Sequence, residues 1–514
     1  MVKESEASGG LEWRINMPDG SSKILVPESM PRTRVCGALQ GVLMGFLSNF
    51  WGFIHKAWNL GLNDPKKFFH CIKVGLALCL VSVFYYMRPL YHGVGGNAMW
   101  AVMTVVVVFE YTVGATLCKC VNRTIGTCLA GALGVGVHWI ASQSGDFEPI
   151  ILQVSVFLLG TSFTDNIYTY PNKFVTRRNS LPWACIFLAA AAATFSRFIP
   201  SVKARFDYGA VIFILTFSLV SVSGYRVEKL FELAHQRLST IAIGTSICVI
   251  TTMLFFPVWA GSELHNLIKN NMEKLADSLD GCVADYFAND VNANNVKTEA
   301  PNKILLGYTC VLGSNATEES LANFARWEPA HGGFNFGHPW KEYLKVGASL
   351  RSCAYCIEAL NGSINSGAKA PDLLKAHFSN FCLRLSSSSS AVVKELSTVI
   401  NTMTKSTKIH LLVQEMNNAV EELQNALKSF SEQSTASLTV PKLEESDNGA
   451  GKAKTSPALV QIVPLVTVSS LLMEIAARTE EIVEAVNSLA QKAEFKVESD
   501  EKSKQIHNPK ALTR

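Results

Sequence analysis

The chain has 514 residues, of which 48% are apolar and only 17% charged, with a formal net charge of +4. A charged share this far below the roughly 25% of soluble domains argues against an all-soluble protein. So small a net charge over such a length gives no reason to expect a nucleic-acid partner.

The charge deficit is uneven. Long apolar runs stop near Trp259, and the sequence beyond is ordinarily polar, so a membrane domain should precede a soluble one. The N-terminus carries Lys3, Glu4 and Glu6 and lacks the apolar region of a cleavable signal peptide. Insertion would then use the first membrane helix. Thirteen cysteines are scattered through the chain, several of them in apolar runs. The Cys353-x-x-Cys356 pair has no second ligand pair, so buried thiols are expected rather than a metal centre.

In chain order, residues 1–32 read as a polar tail with a turn-like piece, LEWRINMPDG. Val35–Trp58 is long enough to span, but places Val35, Leu39, Val42, Leu43, Phe46, Phe50, Phe53 and Ile54 on one helical face, which suits a helix lying in a membrane interface better than a span. Domain boundaries follow: a tail with this helix over 1–63, a membrane domain over 64–259, a helical domain over 260–494 and a tail over 495–514. Spans are expected at Phe69–Met87, Asn97–Phe109, Thr124–Ser142, Tyr208–Ser223 and Lys229–Trp259. The fourth of six is split. IILQVSVFLLG and WACIFLAAAAATF are each too short to cross, and the polar, basic, Pro-containing stretch Gly160–Ala184 separates them. Ser201–Asp207 reads as a basic loop. The even count and the basic loops place both termini in the cytosol. Beyond Trp259, helices are expected at Ser262–Phe287, Lys341–Ile364, Pro371–Met403, Lys408–Ser429 and Pro457–Ala493. A disordered linker is expected over 435–456. The fold class is therefore an all-α membrane protein, a six-span helical domain followed by a cytosolic helical domain.

Two charged constellations stand out. Lys119 and Arg123 are four residues apart between two apolar runs, and so share a face if helical. They either line a watery pathway or lie in a cytoplasmic loop that obeys the positive-inside rule. The second is RVEKLFELAHQR, residues 226–237. At about 100° per residue, Arg226, Lys229 and Arg237 fall within about 80° of one another, opposite Glu228, Glu232 and His235. The cationic stripe reads as an anion route, and the alternative is a solvated amphipathic linker. No phosphate-binding loop, nucleophile elbow or zinc-protease motif is present, so no catalytic residue, metal or cofactor is assigned.

The segments NAMWAVMTVVVVFE, VGATLCKCVNR, VKARFDYG, FILTFSLVSVSGYR, ELAHQRLST, PVWAGSELH and WEPAHG together resemble the plant aluminium-activated malate transporter family. The resemblance covers roughly Asp64 to Ala493. It implies a dimeric channel for malate and other organic or inorganic anions, six spans per subunit and a cytosolic helical domain, in the plasma membrane or an endomembrane such as the vacuole's. The family's basic pore residues carry over to Arg123 in VNR and Arg237 in HQR. Arg226, Lys229 and Lys119 join them from the patterns above. Glu228, Glu232 and Glu110 are candidate contacts for a regulatory cation. The chain departs from the family at Gly160–Ala184, where the family's fourth span is unbroken. It also has His92 where some members carry an acid. A coupled organic-acid carrier is the alternative function. It would need a titratable group in the membrane, for which Glu110 and His138 are the candidates.

Overall fold

The computed structural model describes residues 13–16, 22–25, 32–87, 98–143, 187, 189–223, 230–287, 307–366, 370–439 and 457–497. Gly160–Ala184, Arg226, Glu228, Lys229 and His92 lie outside the described residues. Contacts divide the chain into two compact units, Met1–Cys71 and Ile72–Arg514, a boundary that falls inside the first apolar run rather than at residue 64.

In the first unit, two short strands, β1 (Trp13–Asn16) and β2 (Ser22–Leu25), pair antiparallel with Trp13 opposite Leu25. The stretch read as a polar tail thus contains a hairpin. A 32-residue helix, α1 (Arg32–Asn63), follows. It exposes Leu47, Trp51, Ile54, Trp58 and Leu62. These recur at three- and four-residue steps and so form a continuous apolar stripe.

Among the described residues, apolar or amphipathic helices come next: α2 (Pro65–Tyr86), α3 (Ala98–Val108), α4 (Val113–Gln143), a short helical stretch at 189–196, α5 (Pro200–Ser223) and α6 (Leu230–Leu254). A core shared by α2, α3, α4 and α6 holds Ala77, Val81, Ala101, Val105, Val108, Cys120 and Cys248. The helix α4 is 31 residues long and swallows the whole Lys119–Arg123 segment, so the loop reading of these two cations fails. Thr112 caps its start, accepting the Ala115 N–H at 3.3 Å. Ser201–Asp207 is not a loop either. Pro200 opens α5, where its missing N–H costs nothing.

Glycines set the helix spacing here. A Cβ on Gly126 would lie 2.7 Å from the Gly209 carbonyl oxygen, so α4 and α5 touch backbone to backbone. A Cβ on Gly244 would meet Thr104 at 2.9 Å, which packs α6 equally closely on α3.

A second, separate core lies, among the described residues, in α7 (Ala260–Phe287), α8 (Gly307–Leu312), α9 (Asn315–Ala325), α10 (Trp340–Asn365), α11 (Asp372–Thr402), α12 (Lys408–Thr439) and α13 (Pro457–Lys492). The helix α12 runs to Thr439, so the first five residues of the expected linker are helical. The left-handed Met403 ends α11, and a two-residue parallel pairing, β3 (Thr404–Lys405) with β4 (Lys496–Val497), returns the chain's end to that turn. The serine run of α11 faces α7. Ser386 and Ser390 donate to Asp280 at 3.3 and 2.7 Å, and Ser397 donates to Glu273 at 3.2 Å.

Among the described residues, His235–Leu254 and Ile462–Lys492 are long and apolar enough to cross a membrane. The second is a core helix instead. It buries Leu465, Val468, Leu472, Ile475, Ile482 and Val486 in the second core, and Lys492 donates to Glu342 of α10 at 2.6 Å. The short helix α3 has 11 residues and spans about 16 Å, half the hydrocarbon thickness of a bilayer.

Candidate anion-binding site

Arg123 and Arg237 sit on different helices, α4 and α6, and the fold brings them to one cavity. Trp100, Arg123, Thr127, Ile212, Leu215, Thr216, Arg237, Thr240 and Ile241 line it. Its volume is about 20 Å³, room for a single water.

Arg123 is 9% exposed, and its Nη1 donates to the Tyr208 hydroxyl at 3.0 Å. Its Nε is buried with no partner among the described residues. The Arg237 guanidinium lies 3.5 Å from the centroid of the Trp100 ring. The negative face of the indole partly compensates that cation. No carboxylate among the described residues pairs with either arginine. Buried N–H groups without an acceptor are costly, and an anion would supply the missing acceptors.

Lys119 behaves differently. It forms an ion pair with Glu110, and its ammonium lies 5.6 Å from the Tyr208 ring centroid. It therefore flanks the cavity as a neutralised pair. The same pairing occupies Glu110, the proposed regulatory acid. Glu232 lies on α6, its side chain outside the description.

Sequence reading missed Trp100, Tyr208, Thr127 and Thr240, which are ordinary members of apolar runs until four helices converge. It also missed Lys73. This lysine is 2% exposed and donates to the carbonyl of Phe256, a residue in left-handed conformation, at 3.2 Å. A lone lysine inside an apolar run was the available signal.

Below the cavity-bearing helices lies a joint built by WEPAHG. Glu328 is 5% exposed. Its Oε1 accepts from the backbone N–H groups of Gly114 (3.1 Å) and Ala260 (2.6 Å), and its Oε2 from Gly261 (3.0 Å). These are the otherwise unsatisfied donors at the starts of α4 and α7, where helix dipoles also favour negative charge. Burial pushes the carboxyl above its ordinary value, and the three N–H donors pull it back. His331 stacks on Trp259 with centroids 4.0 Å apart, its Nε2 3.8 Å from Glu328.

Apolar helices that hold two cations in their interior are in keeping with a membrane transport protein of helical build. The aluminium activated malate transporter family model matches residues 58–172 and 176–448. The match includes most of Gly160–Ala184. Aluminum-activated malate transporter 10 of Arabidopsis thaliana is 51% identical over 513 residues, 97% of each chain. Aluminum-activated malate transporter 2 of Arabidopsis thaliana is 41% identical over 86% of this chain and 78% of its own. Aluminum-activated malate transporter 1 of Triticum aestivum is 38% identical over 91% of this chain and 92% of its own. The chain belongs to the aluminium-activated malate transporter family, a family of transporters and not of enzymes.

Proposed function

We propose that this protein is an anion channel that conducts malate, and other organic or inorganic anions, across a plant cell membrane. Two subunits form the pore, each with six spans, a cytosolic C-terminal bundle and both termini in the cytosol. Arg226 and Lys229 extend the cationic route at the mouth of α6. The amphipathic α1 lies along the membrane surface. Glu228 and Glu232 are the acids that would meet a regulatory cation.

The observation that supports this reading most is the convergence of Arg123 and Arg237 on one cavity. A dicarboxylate needs at least two cationic partners, and arginine keeps its charge in a low-dielectric site where lysine can lose its proton. A cavity that holds one water is a closed state. Conduction needs α3 to α6 to part, and an anion that draws Arg237 off Trp100 would favour the parted state.

Voltage clamp of oocytes expressing the chain tests it. Wild-type protein should carry malate current. Arg123→Gln or Arg237→Gln should remove most of it at equal surface level. Current unchanged in both variants would take these residues out of the pore. Proton-coupled flux without macroscopic current would favour the carrier, whose candidate Glu110 already forms an ion pair with Lys119.

A further inference from the structure

Glu328 does not reach the cavity, but it holds the helix that does. The two cores are separate clusters, and the segment around Trp327–His331 is where the C-terminal bundle meets the apolar helices. Three contacts with the apolar helices and their link to α7 converge there. Glu328 takes the Gly114 N–H of α4. Trp327 packs edge-on against Phe206 of α5, with centroids 6.5 Å apart. His331 stacks on Trp259, in the link from α6 to α7. Nearby, the Val113 N–H donates to the Val258 carbonyl at 2.9 Å, tying α4 to the same link.

Sterics tighten the joint further. A Cβ on Gly114 would lie 2.9 Å from Glu328 Oε1 and closer still to the Phe324 carbonyl oxygen. A Cβ on Gly261 would collide with the Trp340 ring. Both helix starts therefore approach the C-terminal bundle as closely as backbone allows. From Gly114, α4 runs unbroken to Arg123, about 14 Å along a rigid rod. A shift at the helix start must move Arg123 and its bond to Tyr208.

We propose that Glu328 is a positioning residue: it clamps the starts of α4 and α7 together, so that movement of the C-terminal bundle is transmitted along α4 to Arg123 and sets the balance between closed and open cavity. The inference rests on the conduction reading for its consequence, but not for the clamp itself.

Two variants and two readouts test it. Glu328→Gln keeps the shape but turns an N–H₂ towards backbone donors and removes the charge. Gly114→Ala wedges α4 away with no change of charge. Hydrogen exchange followed by mass spectrometry on the full chain in detergent reads the clamp directly. Both variants should exchange faster at residues 113–118 and 258–264, with α10 to α13 unchanged. In oocytes, both should change the closed-to-open ratio by at least about fivefold. Anion permeability ratios should stay at wild-type values, because neither arginine is altered. The double variant should be no worse than the stronger single one.

Unchanged exchange at both helix starts would overturn the clamp. Faster exchange with wild-type gating in a conducting channel would overturn the transmission. If Glu328→Gln fails to reach the surface, Gly114→Ala decides on the same terms. A wild-type chain without current would sink the conduction reading alone, and the exchange measurement would still decide the clamp.

Discussion

Trp100, Arg123 and Arg237 show how a residue's meaning comes from its neighbours. Arg237 lies on a ring face and Arg123 on a phenol hydroxyl, so each cation is only half-compensated and ready for an anion. In the C-terminal bundle, two histidines are held in the opposite state. His265 Nδ1 lies 3.0 Å and His338 Nε2 3.4 Å from the Tyr343 hydroxyl, inside a cluster of Phe334 and Trp340. Burial pushes both imidazoles down to about 4 from an ordinary 6.5. Their folded-state values are depressed, so the unfolded chain binds more protons between about pH 6.5 and 4. The stability they contribute is complete above about pH 6.5 and is lost as pH falls towards 4. The loss is at most about 3 kcal/mol per group. A melting series from pH 7 to 4 should show a fall that is shallower in His338→Asn. Parallel curves for the two proteins would contradict this.

At the scale of elements, spacing decides function. The glycine- and alanine-rich run of α4 invites close packing, and its sequence suggests a face for a second subunit. Part of that face is used within the chain: Gly126 meets Gly209, and Gly134 meets Val220. Gly131 faces open space. So Gly126→Ala should force α4 from α5 and cost about 1–3 kcal/mol, while Gly131→Ala should be neutral or slightly stabilising in a helix. Thermal unfolding in detergent compares the two. Equal effects would mean that the α4–α5 seam is not as tight as the Gly126 geometry requires.

At the scale of the molecule, two cores of different character share one polar joint. The C-terminal core depends on a buried pair. Glu318 is fully buried, bonded to Ser314 at 2.6 Å and to Arg351 at 2.5 Å, and packed on Gly347. Glu318→Gln leaves Arg351 without its counter-charge and should destabilise the bundle by about 3 kcal/mol or more. Denaturation of the full chain, read from a C-terminal tryptophan such as Trp340, measures it. The proposed homodimer also belongs to this scale. The cavity is lined by residues of one chain, and in the proposed two-fold pore a second subunit would double each arginine. Native mass measurement in mild detergent should give twice the chain's mass, and a monomer would count against the dimer.

The sequence by itself determined the all-α character of the fold and most of the helices described. Apolar run length, helical periodicity and punctuation by Pro257 and Pro371 are local signals, and helix formation is a local response to them. Helices α7, α10, α11 and α13 therefore start and stop close to where the pattern places them, while α12 starts there but runs ten residues past the expected end. It also marked Arg123 and Arg237 individually, because a cation inside an apolar run is costly wherever it lies. Only the tertiary structure decided that these two share a cavity with Trp100, that Tyr208 holds Arg123, and that Glu110 neutralises Lys119. It alone decided that Ile462–Lys492, apolar enough to cross a bilayer, is a core helix, because a helix's apolar face takes its meaning from what packs against it. And it alone revealed Glu328 as a clamp. Its three donors come from residue 114 and the adjacent residues 260 and 261, all far from 328 in sequence, and backbone N–H groups leave no mark in the side-chain pattern from which a sequence is read.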